Sequence, residues 1–138
     1  MKMKYSKILF AFIVCSIFGC EKFYPIELKN ESNKSIGYYF ALGGKFGSVY
    51  PDSLPKGNEY VEKNLLPNMT YYYYSRTPWE TIFADKSLLK DTLSIYIFSS
   101  DTLNTYPWQR IRQEEKYLKR YDLSLKDLQD SNFKIVFK

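Results

Sequence analysis

The sequence predicts a mainly β protein: an antiparallel β-sandwich of about seven short strands, with two or three short helices inserted late in the chain. Three observations carry this. Short segments alternate apolar and polar residues at period two. Clusters of Gly, Pro, Asn and Ser separate them. Helical patterning begins only after Thr77, and strands and helices never alternate in the rhythm of a parallel sheet.

The elements follow in order. Ile26 and Leu28 alternate with Glu27 and Lys29, the polar turn "NESNKS" follows, and Ile36, Tyr38, Phe40 and Leu42 alternate with Gly37, Tyr39 and Ala41. That pattern reads as a β-hairpin. "GGKFGSVYPDSLPKGN" reads as loop with a short strand at Phe46–Tyr50, "EYVEKNLL" as a strand, and "PN" as the turn into "TYYYYS". Because a strand alternates faces, Tyr71 and Tyr73 point one way and Tyr72 and Tyr74 the other, so four consecutive tyrosines make two pairs and no single platform.

Thr77 at the N-cap, Pro78 at the first position and Glu80 at the third predict a capping box opening a helix over Pro78–Ala84. In "DTLSIYIFSS", Leu93, Ile95 and Ile97 share one face and Tyr96 and Phe98 the other. A strand apolar on both faces belongs in the centre of a sheet. "YPWQRIRQEEKYLKRYD" predicts a helix from Pro107, with Trp108, Ile111, Leu118 and Tyr121 on one stripe and the pairs Arg110–Glu114 and Glu115–Lys119 outside. Ser124 and Asp127 form a capping box for a last helix, with Leu123 stapled to Leu128. "FKIVFK" closes the fold as a strand, with Lys134 and Lys138 protecting an edge. The pattern is immunoglobulin-like in the broad sense. The alternative is an α+β fold with the helices packed on one antiparallel sheet.

The first residues carry a different signal. Lys2, Lys4 and Lys7 precede an apolar run from Ile8 to Phe18, which ends at Gly19-Cys20. The run has the length of a signal-peptide core and falls short of the roughly 20 residues a spanning helix needs. A small residue before a cysteine at this place resembles the lipobox of bacterial lipoproteins. The resemblance implies cleavage between Gly19 and Cys20 and acylation of Cys20. Residues 1–19 are then a signal peptide, 20–24 a lipidated tether and 25–138 a single β-rich domain. Removing Lys2, Lys4 and Lys7 from 20 basic residues leaves 17 against 15 acidic ones, a net charge of +2. A nucleic-acid partner loses its electrostatic support. Cys15 leaves with the signal and Cys20 carries lipid, so no disulfide is expected.

The chain contains no histidine. That excludes Ser-His and Cys-His nucleophile pairs and the commonest transition-metal ligand. No metal site and no cofactor are expected. Among the acids, Glu114 and Glu115 diverge on a helix, and Glu59 and Glu62 fall on opposite faces of a strand, so neither pair converges as glycoside hydrolysis needs. Arg110, Arg112, Lys116, Lys119 and Arg120 read as a basic, solvated helix face.

Two further resemblances bear on sites. "LLPNMTY" resembles the turn before a fibronectin type III tyrosine corner, which implies a buried Leu65, a turn at Pro67 and a structural role for Tyr71. "DSL" at 52–54 and "DTL" at 91–93 and 101–103 resemble the O-glycosylation site of exported Bacteroidota proteins, which implies Ser53, Thr92 and Thr102 as acceptors. The short signal, Gly19-Cys20, "IELKNES" and "LKRYDLSLKDLQ" together resemble small Bacteroidota outer-membrane lipoproteins of unknown function. That implies an outer-membrane location, a membrane partner reached through the lipid, and no assigned activity. The expectation is a non-enzymatic, lipid-anchored binding or scaffold domain with a glycan or envelope-protein partner. Its alternatives are a glycan-binding module using Tyr72, Tyr74 and Trp79, and a small carboxylate-dependent hydrolase.

Overall fold

The computed structural model describes residues 21–42, 54–85 and 92–138. Its elements are β1 (Tyr24–Asn30), β2 (Ile36–Leu42), β3 (Glu62–Leu65), β4 (Thr70–Ser75), α1 (Trp79–Phe83), β5 (Leu93–Ser99), α2 (Ser100–Thr105), α3 (Trp108–Gln113), β6 (Lys119–Leu123), α4 (Leu125–Asp130) and β7 (Lys134–Phe137). Two sheets face each other, with strand orders β4-β1-β7 and β3-β2-β5-β6. The expected β-sandwich with short late helices is the fold observed.

Ile26 and Leu28 on β1, Ile135 and Phe137 on β7, and Tyr71 and Tyr73 on β4 meet Ile36, Tyr38 and Leu42 on β2 and Leu93, Ile95 and Ile97 on β5. A second core covers the opposite face of the four-stranded sheet. There Tyr39, Ala41, Tyr96 and Phe98 lie beneath Leu54, Val61, Leu103 and Ile111. The Trp108 indole donates to the Pro55 carbonyl at 3.0 Å and Arg112 Nε to the Leu54 carbonyl at 3.0 Å, holding the 54–55 segment against α3. β5 is therefore central and buried on both faces, as its composition required.

The predicted β1–β2 hairpin does not form. β1 pairs with β4 and β7, β2 with β3 and β5, and the two strands lie in opposite sheets. Period-two alternation specifies which face is buried, and it is the same for strands that pair side by side as for strands that face each other. The β1–β2 connection is instead held by Asn30, which is fully buried. Its amide donates to the Lys34 carbonyl at 2.8 Å and the Leu65 carbonyl at 2.9 Å, and its side-chain oxygen accepts from the Ser32 amide at 3.0 Å and hydroxyl at 2.6 Å. β7 lies at a sheet edge, as Lys134 suggested, but runs parallel to β1.

The helix expected from Pro107 stops at Gln113. Glu115 turns to φ 49° and the Lys116 amide bonds back to the Ile111 carbonyl at 2.9 Å, closing the helix end. The chain then pairs with β5 as β6, Leu118 N–H donating to the Ile97 carbonyl at 2.7 Å. The Glu115–Lys119 helical pair is consequently absent, Leu118 is 58% exposed, and the predicted basic helix face is divided between α3 and β6. A non-glycine residue at the left-handed position hides this stop from the sequence. Arg110–Glu114 does form, at 2.8 Å. The Ser124–Asp127 capping box opens α4 as expected. At α1, Pro78 rather than Thr77 holds the N-cap position, with no side-chain cap bond. α2 was not anticipated, and the strand expected at Phe46–Tyr50 lies outside the described residues.

Candidate aromatic cleft

Among the described residues, the sandwich is open on the side where β4, the edge of one sheet, faces β2 and β3 of the other. β3 and β4 are joined there by a turn in which Met69 N–H donates to the Leu66 carbonyl at 3.1 Å and Asn68 takes φ 64°, a conformation asparagine tolerates. β3 carries a bulge: Ile36 pairs with Leu65 but Tyr38 with Glu62. The bulge brings Glu62 beside Tyr38. Gly37 makes it feasible, because a Cβ there would stand 2.7 Å from the Glu62 carbonyl and collide with the Leu103 side chain.

The result is a cleft of about 570 Å³ lined by five tyrosines (Tyr38, Tyr39, Tyr60, Tyr71 and Tyr73), Phe40, Glu59 and Glu62. Four of its rings belong to a continuous aromatic row that runs into the core at Trp79. Tyr38 lies 4.6 Å from Tyr71, Tyr71 5.9 Å from Phe40, Phe40 4.7 Å from Tyr73, and Tyr73 5.9 Å from Trp79, measured between ring centroids. Burial, reinforced by neighbouring Tyr71 and Glu62, raises the Tyr38 phenol well above its ordinary range. Burial and Glu62 raise Tyr71, and burial and Tyr71 raise Tyr73. These groups are therefore neutral hydroxyls at any physiological pH and available as donors.

Glu59 and Glu62 do not fall on opposite faces of one strand. Glu59 lies in the turn before β3, and both exposed side chains reach the same cleft. The strand reading failed because β3 begins only at Glu62. Sequence patterning also missed Tyr38 as a site residue, since a tyrosine on an apolar alternation reads as core.

The other expected sites are dispersed. Tyr72 and Tyr74 stand on the outer face of β4, 42% and 59% exposed, their rings stacked at 6.1 Å with Phe23 edge-on to Tyr74 at 6.0 Å. Trp79 does not join them. It is 2% exposed, and its indole N–H donates to the Tyr24 carbonyl at 3.1 Å, so it is a core residue and not a surface glycan contact. Tyr71 packs by its ring against Tyr38 and Phe40 in the cleft. Thr92 is half-buried just before β5, and Thr102 is half-buried in α2. Gly19, Cys20 and Ser53 lie outside the described residues. Among the described residues, no group of three or more potential ligands could hold a metal ion, and no helix is long and apolar enough to cross a membrane.

Comparison with protein-family models, curated proteins and solved structures finds no match to this chain.

Proposed function

We propose that this chain is a lipid-anchored envelope domain that acts by non-covalent binding, and that the aromatic cleft is its ligand site. The cleft is the single observation that carries the reading: a concavity of about 570 Å³ with stacked rings on its floor and two carboxylates at its rim. That volume falls within the range of small-molecule sites. Anchoring rests on the lipobox-like Gly19-Cys20 after the apolar run; an outer-membrane location is what the resemblance to small Bacteroidota lipoproteins implies. A screen of saccharides, amines and peptides against the full chain in nonionic detergent tests the site. Ligands should be lost on Tyr71→Ala and retained on Tyr72→Ala, and an empty screen would overturn the reading. Palmitate labelling of cells should disappear with Cys20→Ala, and equal labelling would remove the anchor.

A second reading, a carboxylate-dependent hydrolase, is favoured by Glu59 and Glu62 sharing the cleft. Hydrolysis requires surroundings that keep one carboxyl protonated and the other ionised. Both side chains here are exposed, and neither is enclosed in a catalytic pocket of its own. Binding is the better-supported reading.

A further inference from the structure

We propose that the cleft recognises an organic cation, a primary or quaternary ammonium group, held among the tyrosine rings that line it and neutralised by Glu59 and Glu62. The inference rests on the cleft being a ligand site and names what enters it.

The charge of the cleft favours a cation. Among the described residues, two carboxylates and no basic residue line the cleft, in a chain whose basic residues outnumber its acidic ones. Anionic ligands are repelled, and a cation finds both charge and ring quadrupoles arranged for it.

The rest of the molecule treats its tyrosine faces differently. Other tyrosine faces are occupied by the chain's own cations. Arg110 and Lys116 each lie 5.0 Å from the Tyr106 ring, Lys119 lies 4.6 Å from Tyr121, and Lys22 lies 5.2 Å from Tyr24. Among the described residues, no lysine or arginine covers Tyr38, Tyr60, Tyr71 or Tyr73.

The cleft also holds a buried donor that no described residue satisfies. Tyr38 is 6% exposed and lines the cleft, and its hydroxyl has no hydrogen-bond partner among the described residues. Buried tyrosine hydroxyls are normally satisfied. A hydroxyl or carbonyl on the ligand, next to its ammonium group, would accept from it. Aminosugars and amino alcohols offer such an arrangement, whereas a lysine side chain offers the ammonium group alone.

Saturation-transfer NMR on the full chain in nonionic detergent tests this. The cationic probes are choline, glucosamine and a lysine tripeptide; the neutral counterparts are glucose and N-acetylglucosamine. At least one cationic probe should bind while both neutral sugars do not, and which of the three binds best separates the sources of the ammonium group. Glu62→Gln should weaken that probe on the order of tenfold, and added salt should weaken it further. Tyr38→Phe should lower affinity while leaving the thermal midpoint unchanged or higher, which separates a binding role from a folding one. Equal binding of glucosamine and N-acetylglucosamine would overturn the cation and make the cleft a neutral-glycan site. So would cation binding that survives Glu59→Gln with Glu62→Gln. If no cationic probe binds, the proposal also fails, while the wider binding reading stands or falls on its own screen.

Discussion

The rings of Phe40 and Tyr73 stack across the sandwich, with centroids 4.7 Å apart and planes 18° from parallel. One residue comes from each sheet, so the pair helps hold the open side together while forming the floor of the cleft. Both rings are half-buried. Phe40→Ala or Tyr73→Ala should each cost about 2–4 kcal/mol in urea denaturation, from lost burial plus the aromatic contact. The double variant should cost less than the sum of the two, because one contact is removed twice. Additive costs would mean that the stack contributes nothing as a pair.

Asn30 joins the end of β1, the β1–β2 connection and the end of β3 through one buried side chain. Asn30→Leu fills similar volume but strands the Leu65 carbonyl and the Ser32 amide. We expect a loss of about 2–4 kcal/mol, read from the denaturation midpoint at unchanged slope. A near-neutral result would show that water replaces the amide.

The two aromatic sets around β4 should separate cleanly. Trp79→Ala removes a buried indole and should cost about 3–5 kcal/mol, whereas Tyr72→Ala and Tyr74→Ala on the outer face should each change stability by less than about 1 kcal/mol. Thermal denaturation of the three variants checks this, and a comparable loss at Tyr74 would show the outer face to be covered.

Gly37→Ala places a methyl against the Glu62 carbonyl and the Leu103 side chain. It should destabilise by about 1–3 kcal/mol and reduce cleft binding by shifting the bulge. Wild-type stability in Gly37→Ala would mean that β3 moves aside without cost.

Alkali should unfold the protein through its cleft tyrosines. Tyr38, Tyr71 and Tyr73 have folded-state pKa values above the ordinary 10.0. The folded state therefore holds protons that the unfolded chain releases, and this stability is fully present below pH 10. It is lost as pH rises from there through the folded-state values. Circular dichroism and tyrosinate absorbance should change together in that window. Ionisation of all tyrosines with the fold intact would contradict the burial argument.

Much of this architecture was legible in particular residues. The alternation of Leu93, Ile95 and Ile97 with Tyr96 and Phe98 identified a central strand, and both cores now use it. The Ser124–Asp127 spacing located α4 by local hydrogen-bond chemistry alone. The division of the four tyrosines into two pairs followed from strand geometry. The failures share one cause, which is partner choice. Nothing in Ile26–Leu42 distinguishes a hairpin from two facing strands, and nothing in Glu115–Leu123 states that β5 offers an open edge that outbids a helix.

The sequence by itself determined which faces of the strands are apolar, where α1, α3 and α4 begin to within a residue, and, by lacking histidine, that Ser-His and Cys-His chemistry is closed to the chain. Those properties are local or compositional. Only the tertiary structure decided which strands pair, that Trp79 is core while Tyr72 and Tyr74 are surface, and that Glu59 and Glu62 meet Tyr38 and Tyr71 in one cleft. The cleft depends on a bulge opposite Gly37 and on the facing of two sheets whose strands are distant in sequence. It is a property of long-range pairing, and no local pattern encodes it.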